Sequence, residues 1–345
     1  MGVLITSVQV PFIRGGGEIL AENLREQIAL RGYRVDVLTN PFRFSPPSGV
    51  KASMDWWAAQ DLSRFCAGQV DQVIHLKFPC YGASHPDARL WLLHQHRSCY
   101  ELWDTQYGPG KNATVDDIRM RSLVHEFDTL KLGAIPRRYT IAQTVSDRLA
   151  QFNGVTSTPI YHPPKSAESF YNGPSLPYIF APSRLEPLKR QMLLVNAMAK
   201  VKSPLRAIIA GTGGAEADLR SRIAELGLQD RVALVGAVSD AEMRAYYANS
   251  RAVFFAPYRE DYGYVTLEAM LSAKPVITCV DSGGVLEFVE DGLNGRVVEP
   301  TAEAVAEVIE GYASKTLAVE HGAAGFDRYA TLDVSWDNVI STLLA

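Results

Sequence analysis

Cysteine is scarce in this chain, and its four thiols are not placed for chemistry. Cys66, Cys80, Cys99 and Cys279 show no CxxC spacing, which argues against a zinc ribbon, a dithiol redox motif or a disulfide framework. They read as reduced, mostly buried thiols of a cytoplasmic protein. The seven histidines are scattered, without an HExxH pattern, so spacing points to no metal set. No apolar run approaches the ~18 residues of a membrane span. The opening stretch Met1-Gly-Val-Leu-Ile-Thr-Ser-Val-Gln-Val lacks the basic flank of a signal peptide and reads as a strand. A strong charge excess is missing too: the net charge is −4, which argues against nucleic acid as a partner. Low-complexity segments and short repeats are also absent.

What is present suits two soluble domains. The 345 residues are too many for one ordinary core, and 47% are hydrophobic against 21% charged. Charge is uneven along the chain. Residues 1–165 carry 18 Lys and Arg against 15 Asp and Glu, leaving 16 against 23 in the remainder. A mildly basic first half would suit an anionic acceptor or a membrane surface; an accident of solvated faces explains it equally well.

Short apolar strands alternate with helical patterns throughout. Strands are predicted at Val3–Val10, Val35–Thr39, Gln72–Leu76, Arg89–Leu93, Tyr139–Thr144 and Pro159–His162. A second set follows at Tyr178–Pro182, Arg206–Ala210, Val232–Val235, Ala252–Ala256, Pro275–Cys279 and Gly295–Val298. The helix Glu18–Arg31 gathers Ile19, Leu20, Leu24 and Ile28 on one face and closes at Gly32. Further helices are expected over Arg190–Lys200, Glu216–Leu226 and Asp240–Asn249, with loops over Phe42–Ser53 and Tyr107–Asp117. Strands separated by helices imply an α/β fold of two doubly wound parallel sheets. The proline- and glycine-bearing join Tyr161–Pro177 divides domain 1–165 from domain 174–325, and the hinge is expected at 163–177. Residues 326–345 form a last amphipathic helix expected to pack back on the first domain. Two such domains would face each other across a cleft at the carboxyl ends of their strands.

Five constellations carry candidate chemistry. The most informative is Pro257-Tyr-Arg-Glu-Asp-Tyr-Gly-Tyr-Val-Thr-Leu-Glu268, where Glu260 sits on a strand-to-helix loop and Glu268 about one turn into the helix. A helix N-terminus favours an anion, whereas carboxylates beside it suit hydroxyl groups; phosphate on backbone with hydroxyls on carboxylates is what a nucleotide-sugar site requires. In Pro182-Ser-Arg184-Leu-Glu-Pro-Leu-Lys189-Arg190, two cations straddle a proline turn and suit a diphosphate; a solvated basic loop is the equal alternative. Gly15-Gly16-Gly17-Glu18 follows the first strand and opens the first helix, letting a bound group approach backbone. It is not GxGxxG, and a plain flexible loop is the default for it alone. The turns Gly211-Thr-Gly213-Gly214 and Asp281-Ser-Gly283-Gly284 repeat the strand–glycine–helix pattern. In Trp91-Leu-Leu-His94-Gln-His96-Arg97, a histidine leaves a strand at the carboxyl edge.

In this order, the pieces resemble the retaining glycosyltransferases of GT-B fold, family 4 (glycosyl transferases group 1), over nearly the whole chain and most strongly over 178–299. Glu260 and Glu268 match the E-x7-E element, Arg184 and Lys189 the Arg-x4-Lys pair, and Gly15, Gly16 and Glu18 the Gly-Gly-x-Glu loop. The resemblance implies that Arg184 and Lys189 hold the donor pyrophosphate, Glu268 the ribose and Glu260 the transferred sugar. It implies that backbone N–H groups at Tyr264 and Val265 add to the phosphate site. Gly15 and Gly16 would let the first domain approach the phosphates, and Gly211 and Val238 would lie near the base. His94 would sit at the sugar's reactive face, with His96 the alternative. It further implies a metal-independent hexosyltransferase, without cofactor, using a UDP- or GDP-hexose, with UDP-glucose and GDP-mannose leading. Transfer would proceed with retention to a saccharide or lipid-linked acceptor. Members of the family are often peripheral on the inner face of the membrane, with which Arg119, Arg121, Lys131, Arg137 and Arg138 are consistent. Two alternatives stay open: a non-catalytic sugar-binding protein of two domains, and the same fold acting as a sugar phosphorylase or epimerase.

Overall fold

A computed structural model describes residues 1–12, 15–64 and 68–345; Cys66 lies outside the described residues. The chain divides into two units, 1–165 with 334–345, and 166–333.

The first unit contains β1 (Gly2–Gln9), α1 (Gly16–Leu30), β2 (Arg34–Pro41), α2 (Pro47–Ala58), β3 (Gln72–His75), β4 (Ala88–Leu92), α3 (Val115–Ala134), β5 (Arg137–Thr140), α4 (Gln143–Asn153) and β6 (Thr158–Pro159). All pairings are parallel, in the order β2-β1-β3-β4-β5-β6. β3 and β4 are buried along their whole length, as expected of strands covered on both faces.

The second unit contains β7 (Tyr178–Pro182), α5 (Gln191–Met198), β8 (Arg206–Ala210), α6 (Glu216–Glu225), β9 (Val232–Gly236), α7 (Asp240–Asn249), β10 (Ala252–Phe254), α8 (Tyr264–Leu271), β11 (Val276–Cys279), β12 (Gly295–Val298), α9 (Ala302–Gly311) and α10 (Lys315–Thr331). Its sheet runs β12-β11-β10-β7-β8-β9, again parallel. Alternation along β7 divides the core. Ile179 and Ala181 join Leu194 of α5, Ile223 of α6 and Ile309 of α9 on one face, while Phe180 meets Tyr247 of α7 and Ala269 of α8 on the other. Both sheets are thus doubly wound, as the alternating pattern implies.

α11 (Trp336–Leu344) belongs to the first unit. Trp336 meets Trp91 edge-on at 6.3 Å, Asp337 pairs with Arg31, and Gln72 Nε2 donates to the Leu343 carbonyl at 2.6 Å. The chain crosses later than residue 326, because α10 continues to Thr331 within the second unit.

Three local expectations are corrected. The loop expected over Phe42–Ser53 gives way to α2 at Pro47, a proline placed in the first turn, where its missing N–H costs nothing. The loop expected over Tyr107–Asp117 ends in α3, where the Thr114 side chain accepts from the Asp117 N–H and the Asp117 carboxylate accepts from the Thr114 N–H. The strand expected to reach Thr144 stops at Thr140, because α4 opens at Gln143. Among the described residues no helix is long and apolar enough to cross a membrane.

Candidate active site

Strand order reverses once in each sheet, and ligands of open α/β sheets bind beyond the carboxyl ends of the strands at that point. In the second unit the reversal lies between β7 and β10. The chain leaving β7 forms a 3-10 turn, Pro187–Lys189, and the chain leaving β10 carries Glu260. Lys189 Nζ donates to Glu260 Oε2, with both side chains less than one-fifth exposed. Lys189 also lies 5.6 Å from the centre of the Phe255 ring. Arg184, by contrast, is exposed and pairs with Glu186 at 2.8 Å. The structure therefore joins Lys189 to one predicted acid and leaves Arg184 facing solvent.

Arg190 is a structural contributor that its sequence position did not reveal. It adopts a left-handed conformation (φ 53°) at the N-cap of α5. From there its guanidinium donates to the carbonyls of Ala256 and Pro257 at 2.7 and 3.0 Å, and to both Asp281 oxygens at 2.6 and 3.0 Å. One side chain thereby ties together the loops that follow β7, β10 and β11, using the forked geometry only arginine offers. Glu260 is fixed from the other side. Its N–H donates to Ser282 O at 3.1 Å and its carbonyl accepts from Gly284 N at 2.9 Å. A Cβ at Gly283 (φ 66°) would lie 2.4 Å from the Glu260 carbonyl oxygen, and one at Gly284 2.4 Å from that of Asp261. The glycine turn after β11 is therefore required by the close approach of the Glu260 loop. It leads into a 3-10 turn, Gly284–Glu287, where a helix is the sequence expectation.

Gly263 (φ 86°) caps α8, so that Tyr264 and Val265 occupy its first turn, with N–H groups directed out of the helix end. Glu268 lies one turn further in, where its Oε2 accepts from the Tyr247 hydroxyl at 2.6 Å. Burial raises the Glu268 pKa and the Tyr247 bond works against that rise. Val238 and Val265 are half-buried against one apolar cluster that includes Tyr247. Gly211 does not stand open: a Cβ there would lie 1.9 Å from the Ser183 carbonyl, and one at Gly213 2.4 Å from that of Leu185. These two glycines seat the Arg184 loop, whereas Gly214 has no atom within 4 Å of its Cβ position.

The first sheet reverses between β1 and β3, and a second lysine–glutamate pair lies there. Gly15 is the N-cap of α1 and Gly16 its first residue. Glu18 accepts from the Gly15 N–H at 2.9 Å and from Lys77 Nζ at 2.8 Å. Burial acts to raise the Glu18 pKa, but Lys77 and the Gly15 N–H together hold it below the ordinary value. Lys77 is nearly buried just beyond β3; its place directly after an apolar strand was the available signal. A Cβ at Gly17 would lie 3.3 Å from the Lys77 ammonium.

The two candidate histidines beyond β4 differ. His94 is half-buried, its Nδ1 2.7 Å from the Gln95 carbonyl. His96 is buried, stacked on Phe78 at 5.0 Å and Phe44 at 6.1 Å, with its pKa lowered by burial to about 4. The basic residues offered for an anionic surface are partly committed. Arg121 donates to the Cys99 carbonyl, Arg137 to that of Ala345 and Arg138 to those of Ile135 and Thr156.

Residues 168–319 match the family described as glycosyl transferases group 1. The chain carries a glycosyl transferases group 1 domain. That domain coincides with the unit holding Lys189, Glu260 and Glu268. Among curated proteins, the D-inositol 3-phosphate glycosyltransferase of Mycobacteroides abscessus is 30% identical over 161 residues, 44% of this chain and 36% of that protein. The alpha-D-kanosaminyltransferase of Streptomyces kanamyceticus is 36% identical over 93 residues, 27% of this chain and 24% of that one. The chain thus spans about a third or less of the length of these curated relatives. Likeness in structure extends further. Sucrose-phosphate synthase of Thermosynechococcus elongatus superposes with a TM-score of 0.79 at 18% identity, covering 99% of this chain and 96% of that one. Anabaena HepE, solved with UDP-glucose, superposes with a TM-score of 0.69 at 17% identity over 100% and 97%. At such identities the likeness carries the fold, which is GT-B, around the group 1 domain.

Proposed function

We propose that this protein is a retaining glycosyltransferase that moves a hexose from a UDP- or GDP-hexose to a saccharide or lipid-linked acceptor. The observation that carries the reading is the Lys189–Glu260 pair at the strand-order reversal of the group 1 domain, one loop away from Glu268. Lys189 and Arg184 take the donor diphosphate and stabilise the charge that develops on it as the glycosidic bond breaks. When the phosphate arrives, Lys189 exchanges its carboxylate partner for it, and Glu260 is released to accept from hydroxyls of the transferred sugar. Glu268, already oriented by Tyr247, accepts from the ribose. The first turn of α8 at Tyr264 and Val265 donates to phosphate oxygens, and the half-buried Val238 offers an apolar surface to the base. In the first unit, Gly15 and Gly16 present the start of α1, and His94 serves as the polar group beside the sugar in preference to the caged His96.

The reading assigns neutralisation of the leaving diphosphate to side chains, without metal or cofactor. UDP-glucose leads as donor because HepE, which shares the fold, was solved with it; GDP-mannose is the next candidate. Placement at the inner face of a membrane belongs to the reading through the arginines of the first unit that keep their charge at the surface. The test is a transfer and hydrolysis assay with UDP-glucose and GDP-mannose, followed by analysis of the anomeric product. Retained anomeric configuration, with turnover abolished in folded Glu260→Ala and Lys189→Ala, is expected. Wild-type turnover by both variants, or turnover only when inorganic phosphate is the acceptor, would overturn it.

A further inference from the structure

A separate cluster of positive charge lies at the opposite edge of the second sheet. Segment 172–177 precedes β7, Ser250 and Arg251 precede β10, and Ala273–Pro275 precede β11, so these residues share the amino edge, away from Lys189 and Glu260. Lys274 is only 2% exposed and Arg251 7%. Lys274 Nζ donates to Asn172 Oδ1 at 2.9 Å and to the Gly173 carbonyl at 3.1 Å. Arg251 donates to Ser175 Oγ at 3.1 Å and to the carbonyls of Tyr312 and Ala313 at 3.0 and 2.9 Å. Lys315, the first residue of α10, stands at the positive end of a 17-residue helix. Among the described residues none of these three cations has a carboxylate partner. Buried cations are ordinarily retained with one.

A cavity of about 210 Å³ opens here, lined by Asn172, Gly173, Ser175, Lys274 and Lys315, with Ala318 on its apolar wall. An ammonium has three N–H donors and Lys274 spends two on protein oxygens, so one remains for a guest. Burial, Lys315 and Arg251 together lower the Lys274 pKa to about 8, the response of an ammonium that lacks an anion. The walls are firmly set: a Cβ at Gly322 of α10 would lie 2.1 Å from the Ala273 carbonyl, and one at Gly173 2.7 Å from that of Ala248. We propose that the cavity between segment 172–175, Lys274 and the start of α10 binds a phosphate-class oxyanion, either free phosphate or the phosphoryl group of a small phosphomonoester.

The experiment is thermal unfolding of the full chain at constant ionic strength, with chloride replaced by inorganic phosphate or by glycerol 3-phosphate. A rise in Tm of about 3 °C is expected near ten times the dissociation constant. The rise should persist in Arg184→Ala and Lys189→Ala, which separates this cavity from the proposed donor site. It should require ~10-fold more anion in Lys315→Ala, whose exposed side chain can be removed without threatening the fold, and vanish in Lys274→Met. A stronger response to glycerol 3-phosphate than to phosphate would name the phosphomonoester as the natural source. Absence of any rise in the wild type, or a response unchanged in Lys315→Ala, would overturn the proposal.

Discussion

Replacing Gly283 by alanine tests how the Glu260 loop is held. Gly283 has φ 66° and ψ −130°, a backbone conformation that L side chains rarely adopt, at a cost of about 1–3 kcal/mol. The added Cβ would also lie 2.4 Å from the Glu260 carbonyl oxygen and 2.9 Å from Arg259 C and Glu260 N. These are backbone atoms, so no side chain can swing aside, and overpacking adds about 1–3 kcal/mol. Relief requires separating the two loops, which breaks the Glu260-to-Ser282 and Gly284-to-Glu260 hydrogen bonds. A total of about 2–6 kcal/mol corresponds, for a unit of this size, to a Tm lower by ~5–20 °C. Gly292 supplies the control. Its φ is 74° but no atom lies within 4 Å of its Cβ position, so Gly292→Ala should cost only about 1–2 kcal/mol. The assay is thermal unfolding of both variants, followed by nucleotide titration below the lower Tm. Gly283→Ala should be the less stable and should bind nucleotide more weakly even where folded, because Glu260 is displaced, while Gly292→Ala binds normally. Equal losses of Tm, or an undiminished affinity in Gly283→Ala, would refute the reasoning.

Three further outcomes follow from the same geometry. Tyr247→Phe removes the hydrogen bond that opposes the burial-driven rise of the Glu268 pKa; it should cost about 1.5–3 kcal/mol, and nucleotide affinity should weaken with acidification at a higher pH than in the wild type. His75, His96 and His162 of the first unit are buried with pKa values lowered to about 3, 4 and 3. They stay neutral in the folded unit while the unfolded chain takes up protons below about pH 6.5, so their contribution is lost as pH falls, by about 4 kcal/mol per unit between pH 6 and 4. Asp128, raised by burial to about 7, offsets roughly a third of that slope, since the folded unit holds its proton where the unfolded chain does not. The first unit should therefore unfold before the second in an acid titration followed by hydrogen exchange, and the reverse order would contradict this account. Finally, dialysis against EDTA should leave hexosyl transfer intact; activity lost to EDTA and restored by Mg²⁺ would show that Arg184 and Lys189 do not suffice.

The parallel sheets were legible because their strands are short, apolar and separated by helical patterns. Tyr178–Pro182, Arg206–Ala210 and Gly295–Val298 end where the residue pattern says they should. The weaker readings came where local chemistry competed with hydropathy. The prolines before α2 looked like loop, yet a proline at a helix start is compatible with helix. The polar opening of α3 concealed a capping box. At the candidate site, Glu260, Lys189 and Glu268 could be singled out because residue type and spacing state their chemistry. Arg190 and Tyr247 could not, since their partners lie 91 and 21 residues away and only the fold brings them together. The resemblance puts Gly211 near the base, and the fold adds a structural role that the sequence did not show, its close approach to the Ser183 carbonyl.

The central claim is that the carboxyl edge of the second unit takes the nucleotide of a sugar donor. The most direct measurement is a binding panel of UDP, GDP, ADP and their hexose conjugates against the wild type, Arg184→Ala and Lys189→Ala, read as thermal stabilisation. A ligand at ~100 times its dissociation constant should add about 2.7 kcal/mol. The account predicts stabilisation by one nucleotide series, lost in both variants while both remain folded. Stabilisation of equal size in all three proteins, or no response to any nucleotide, would contradict it.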